Sequence, residues 1–74
     1  MLNEVAKCYI RQMHRELRDF AFLVDRIEKL VNNPNDAGVF HSNAEGLAYY
    51  QAELADTRKF FNKAFRNLRR ELAE

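Results

Sequence analysis

The sequence predicts an all-α fold in which two long antiparallel helices form a hairpin, and two hairpins pair into a dimeric four-helix bundle. Apolar residues recur at alternating intervals of four and three over residues 6–31, which is the spacing of a heptad helix. The only cluster of turn-forming residues divides the chain near its middle, and a second helical pattern follows it. The apolar surface of these two patterns is wider than two helices need to cover each other.

The first helix is expected over about residues 2–32. No proline or glycine interrupts residues 2–31, and most residues between the apolar positions are charged or alanine, as on a solvent-facing helix surface. The helix should end near Asn32, because Pro34 disfavours helical geometry at the residue before it. The predicted contact seam of this helix consists of Ala6, Ile10, Met13, Leu17, Phe20, Val24, Ile27 and Val31.

A loop over about residues 33–42 and a second helix over about residues 43–72 complete a single domain, residues 1–74. Ser42 and Glu45 have the spacing of a capping box, in which the hydroxyl accepts a hydrogen bond from the Glu45 amide and the carboxylate reaches back to Ser42. The apolar residues that follow define a second, less regular seam. They are Leu47, Tyr50, Leu54, Phe61, Phe65, Leu68 and Leu72.

Self-association is expected because the chain is small and its apolar arc is wide. A core of this size supplies only ~3 to 5 kcal/mol, and the single cysteine, Cys8, cannot form an internal disulfide. Each large apolar side chain left in water forgoes ~1.5 to 3 kcal/mol. The side chains that lie beside the first seam are Leu2, Tyr9, Leu23 and Leu30. We expect a homodimer; a hairpin docked on a different protein and a higher assembly are the alternatives, and the dimer topology is open.

Three aromatic residues point to protein binding. Phe22 lies roughly opposite the first seam, and Tyr49 and Phe60 share one flank of the second helix. Aromatic side chains are enriched in protein interfaces, so Tyr49 and Phe60 either complete the dimer core or anchor another protein. The function favoured by the sequence is a non-enzymatic interaction module, a small dimeric adaptor, regulator or inhibitor with a protein partner.

Basic residues provide the alternative, a nucleic-acid-binding bundle. The open end of an antiparallel hairpin holds ten basic and six acidic residues, a charge of +4, whereas the loop end holds two basic and five acidic residues, a charge of −3. Basic stripes of this kind bind nucleic acid or acidic proteins, or are solvated and paired with neighbouring carboxylates. The two stripes are Lys7, Arg11, Arg15 and Arg18 on the first helix and Lys59, Lys63, Arg66 and Arg70 on the second.

The sequence carries no motif for catalysis or metal binding. Neither His14 nor His41 follows a glutamate by three residues, the spacing that a di-iron helical bundle requires. Cys8 has the basic neighbours Lys7 and Arg11 but no histidine or acid placed as a partner, so we expect an inert thiol. Glycine-rich phosphate loops and nucleophile elbows are also missing. We therefore expect no enzyme activity, no cofactor, no membrane span, and a cytoplasmic location.

Overall fold

The protein is an all-helical hairpin. The computed structural model describes residues 4–73, in which α1 (Glu4–Asn32) and α2 (Asn43–Ala73) pack against each other along their length. The Cα atoms span 52 × 16 × 16 Å, so the hairpin is a rod two helices wide. The predicted two-helix hairpin is confirmed, and Leu2, one of the predicted contact residues, lies outside the described residues.

Side-chain amides at the connection stabilise the carboxyl end of α1. The Asn33 backbone amide and its Nδ2 atom both donate to the Lys29 carbonyl oxygen at 3.0 Å. Nδ2 of Asn43 donates to the Leu30 carbonyl at 2.7 Å and to the Asn33 carbonyl at 3.3 Å. The last carbonyls of a helix lack partners within the helix, so these bonds satisfy them and attach the start of α2 to the end of α1.

The loop is ordered by local hydrogen bonds before α2 begins. Asp36 Oδ1 accepts a bond from the amide of Gly38 at 3.1 Å, and Gly38 has a φ of 63°, a left-handed conformation that glycine adopts without strain. Ser42 Oγ then accepts the amide of Glu45 at 3.1 Å. This is the hydroxyl bond of the predicted capping box, and it fixes where α2 starts.

The core is a narrow layer between the two helices. From α1, the side chains of Ala6, Leu23 and Leu30 are buried, and Ala64 is buried on α2. Phe20 and Phe61 meet edge to face in the middle of the rod, with ring centroids 6.4 Å apart. The buried residues of α2 also include Gly46 and Thr57, so the second helix presents small residues to the larger side chains of the first.

The predicted seam of α1 is wrong in one of its two rows. Leu17, Val24 and Val31 are 51%, 51% and 61% exposed, whereas Leu23 and Leu30 are only 8% and 7% exposed. Residues three before and four after a central position lie about 40 to 60° to one side of it, and residues four before and three after lie equally far to the other side, so these two rows flank the central one. The helix α2 covers the row that contains Leu23 and Leu30, because its small residues leave room for leucine side chains there.

The contact row of α2 also differs from the predicted one. Tyr50, Leu54 and Leu68 are half-buried as expected, but Phe65 and Leu72 are 42% and 58% exposed. Thr57 and Ala64 occupy the centre of the contact instead. A threonine and an alanine give a weak apolar signal in the sequence, although their small size is what brings the helices close.

Candidate interaction surface

One side of the hairpin carries an apolar face that the other described residues cover only in part. Its members come from both helices and extend along most of the rod. On α1 they form the row that contains Leu17 and Val24. On α2 they form the row of Leu54, which lies beside the contact residues, and the row of Phe65, which lies farther from α1. The apolar face consists of Ile10, Leu17, Val24 and Val31 of α1 and Leu47, Leu54, Phe61, Phe65, Leu68 and Leu72 of α2.

Helix geometry and one groove show that these two rows share a side. Leu23, beside the central row of α1 that contains Phe20, and Glu53, beside the contact row of α2, line one groove between the helices together with Thr57. Residues on the opposite sides of these two rows, such as Val24 and Leu54, therefore lie together on the other side of the hairpin. The apolar arc of α1 thus extends beyond α2 on this side.

A second, smaller surface lies in the groove on the opposite side of the hairpin. It is a cavity of about 250 Å³ that the aromatic rings of Phe22, Tyr49 and Tyr50 line together with the carboxylates of Asp19 and Glu53. Phe22 and Tyr49 are 54% and 51% exposed. The structure therefore brings together two of the three aromatic residues that the sequence singled out.

Part of this aromatic surface already packs within the hairpin. Tyr49 lies 5.4 Å from Phe40 and 5.3 Å from Tyr50 between ring centroids, and Phe40 lies 5.6 Å from Tyr50. The Arg26 guanidinium lies over the Phe22 ring, 4.9 Å from its centroid, a cation–π arrangement. Phe22 and Tyr49 therefore each have an intramolecular contact and still expose about half of their surface.

The remaining predicted contact residues have different surroundings. Phe60 is 51% exposed on the groove side of α2, and Tyr9 is half-buried near the amino end of α1. Leu23 and Leu30 belong to the core, so α2 already covers the surface for which a second molecule was expected. The sequence missed Leu17, Val24 and Val31 as exposed candidates because it assigned them to the hairpin seam.

The eight residues of the two basic stripes are all exposed. Lys7 forms an ion pair with Glu4 at 3.3 Å, and an Arg11 guanidinium nitrogen donates to Cys8 Sγ at 3.2 Å. Because each stripe lies on the outward face of its own helix, the bodies of both helices separate them. The two stripes do not combine into a single basic groove.

Within residues 4–73, no group of three or more histidine, cysteine, aspartate or glutamate side chains is close enough to hold a metal ion. Neither α1 nor α2 has an 18-residue window apolar enough to cross a membrane. Searches against protein-family models, curated proteins and solved structures returned no match for the chain. The functional interpretation therefore depends on the surface chemistry of the described residues.

Proposed function

We propose that this protein is a non-enzymatic protein–protein interaction module that works as a homodimer, in which the apolar faces of two hairpins pack together into a four-helix bundle. The observation that supports the proposal is the apolar face itself. Leu17, Val24 and Val31 project at intervals of seven residues, beside the leucines of the adjacent α2 row. Rows at this spacing pack against helices that carry the same repeat.

The size of the apolar face fits a second hairpin. One side of a rod of 52 × 16 Å has an area of about 800 Å², so two copies in contact along their whole length would bury up to about 1,600 Å², the usual size of a stable protein–protein interface. Covering the exposed half of a side chain such as Leu17 contributes about 1 kcal/mol. Contributions of this kind along both helices add stability to a hairpin whose own core is small.

The dimer would leave the aromatic groove accessible, because that groove lies on the side of the hairpin away from the apolar face. Phe22 and Tyr49 would then be displayed on the outer surface of a rigid bundle, with Asp19 and Glu53 beside them. Exposed aromatic rings that a scaffold holds in place are common anchors of protein interfaces. We therefore place the contact with another protein, as an adaptor, regulator or inhibitor would make it, at this groove.

Two substitutions on α1 with matched exposure test the proposed dimer. Val24→Lys places an ammonium in the middle of the apolar face of each copy, where it loses hydration, so the dimer dissociation constant should rise about 100-fold, equivalent to about 3 kcal/mol. Phe22→Lys adds the same charge two residues away, on the groove side. Analytical ultracentrifugation should show dissociation for Val24→Lys and an unchanged dimer for Phe22→Lys. Equal masses for both variants would contradict the proposal.

Nucleic-acid binding is a second candidate, which the exposed basic stripes favour. A stripe such as Lys59, Lys63, Arg66 and Arg70 can contact several phosphates, and each contact releases counterions. The affinity for an RNA or DNA duplex should then fall steeply as the salt concentration rises from 50 to 200 mM. Fluorescence anisotropy with wild-type protein and with Lys63→Glu measures this effect. If 50 mM salt gives no binding, this candidate function is eliminated.

A further inference from the structure

The apolar face fits a second copy in more than one way. A two-fold axis within the interface runs either along the hairpin, which puts both loops at the same end, or across it, which puts them at opposite ends. Both arrangements bury the same apolar side chains, so apolar area does not distinguish them. The two arrangements differ in which charges lie next to each other and in which residues of the two copies lie at the same level along the rod.

We propose that the second copy packs antiparallel, with the loop end of each hairpin against the open end of the other. This inference rests on the proposed homodimer and adds its topology. Within residues 4–73, the open end has ten basic and five acidic residues, a charge of +5, and the loop end has two basic and five acidic residues, a charge of −3. An antiparallel dimer places ends of opposite charge together, whereas a parallel dimer places two ends of charge +5 side by side.

Salt screening limits this effect to charges that face each other across the interface. Helices in a bundle lie about 8 to 10 Å apart, close to the screening length of about 8 Å at physiological salt, so neighbouring ends still interact. Charges at opposite ends of a 52 Å rod do not. The basic stripes lie on the outward faces of the helices, so the charges that decide between the two arrangements are those beside the apolar face.

The apolar row of α1 is symmetric about a point between residues 20 and 21. An axis across the rod at this level sets Leu17 opposite Val24 of the second copy, and Ile10 opposite its Val31. The groove residues show which part of α2 is level with this point, because Asp19 and Glu53 line one cavity. The same axis therefore passes close to Leu54, in the middle of the apolar row of α2.

Exposed polar residues beside the apolar row of α1 complement one another under the same axis. His14 would lie within about 1.5 Å of the level of Glu28 of the second copy. Both side chains are exposed in the hairpin and belong to the row next to Leu17 and Val24. Near the axis, between them, lies Ala21, whose small side chain allows the two α1 helices to approach closely. A parallel dimer would instead place α1 against α2 and remove this pairing.

Distances between spin labels test the topology. A label on Val39→Cys, in a Cys8→Ser background, marks the loop end, and Val39 is 95% exposed, so the label should not disturb packing. A label on Phe22→Cys marks the middle of the rod on its outer side. In an antiparallel dimer the Val39 labels should lie about 45 to 50 Å apart, since each residue rises about 1.5 Å along a helix. In a parallel dimer they should lie within about 30 Å, the width of a bundle with its labels.

The Phe22 label separates failure of the topology from failure of the dimer. Because this position lies near the axis level, its label should give an inter-copy distance in either arrangement. A Phe22 signal with a long Val39 distance supports the antiparallel dimer. A Phe22 signal with a short Val39 distance overturns the antiparallel topology and leaves the dimer. Absence of an inter-copy signal at both positions overturns the proposed dimer and with it the topology.

Discussion

Replacing Gly46 by alanine inserts a methyl group where α1, the loop and α2 meet. The added Cβ would lie 2.8 Å from Leu30 Cδ1 and 2.9 Å from Phe40 Cδ2. Carbon atoms in favourable contact are about 3.5 to 4.0 Å apart, so both side chains would have to move by about 0.6 to 1.2 Å. Leu30 is 7% exposed and the Phe40 ring packs on Tyr49 and Tyr50, so each must shift against side chains that it already contacts, although both also line a cavity of about 490 Å³.

The two energetic effects of Gly46→Ala oppose each other. Alanine is favoured over glycine in a helix by up to about 1 kcal/mol, and by less in the first turn, where Gly46 lies. Overpacking a core costs about 1 to 3 kcal/mol. We therefore expect a net loss of about 1 kcal/mol in unfolding free energy, which lowers Tm by about 4 to 8 °C in a domain of this size.

Thermal and urea unfolding, followed by circular dichroism at one protein concentration, measures the effect of Gly46→Ala. Ala48→Gly, at an exposed position of the same helix, measures the difference in helix propensity between alanine and glycine where the methyl group contacts no core side chain. In a Leu30→Ala background, the cost of Gly46→Ala should shrink, because one of the two clashing atoms is gone. A stabilising Gly46→Ala substitution with no coupling to Leu30 would refute the close approach of the helices at this point.

Four further substitutions test the packing of the hairpin. Leu23→Ala should destabilise the hairpin by about 2 to 5 kcal/mol in urea unfolding, because the side chain is buried. Leu17→Ala should lower the stability of the hairpin by less than half as much and mainly weaken association. Equal losses of hairpin stability would contradict the assignment of Leu23 to the buried row. Ser42→Ala should lower stability by about 1 kcal/mol by removing the bond to the Glu45 amide, and an unchanged Tm would show that this cap contributes nothing. Glu16 is 9% exposed in the apolar contact row, so Glu16→Leu should raise Tm, and a lower Tm would indicate that the carboxylate has a stabilising partner.

Local signals in the sequence were enough to locate the two helix ends that border the loop. The turn-forming residues around Pro34 coincide with the break between α1 and α2, and the Ser42 hydroxyl bonds the Glu45 amide as its spacing predicted. Such features depend on residues within one turn of each other, so no tertiary information is needed to recognise them. The two-helix hairpin follows from these ends and the heptad spacing.

Local signals in the sequence did not show which side of α1 faces α2. Both rows beside the central one are apolar, and the row that α2 covers contains Glu16, so the uninterrupted row with Leu17 and Val24 gave the stronger signal. What selects the other row is the small size of Gly46 and Ala64 on α2, a tertiary property. Because α2 covers this row and not the predicted one, Leu23 and Leu30 lie in the core, and the row of Leu17 and Val24 remains available for association.

The aromatic groove was only partly foreseeable. The sequence marked Phe22 and Tyr49 as unusual because they lie off the predicted seams, but they are on different helices, and their shared groove depends on which rows face each other. The carboxylates of Asp19 and Glu53 beside them carried no signal of their own in the sequence. A site shared between helices becomes visible only once the helix rotation is known.

The mass of the purified protein in solution tests most directly whether the apolar face binds a second copy. Sedimentation equilibrium at micromolar concentrations should give a mass twice that of the 8.8 kDa chain, which falls toward 8.8 kDa only on dilution. A mass of 8.8 kDa at every concentration up to hundreds of micromolar would contradict the homodimer and show that the face with Leu17, Val24 and Val31 is not covered by another copy.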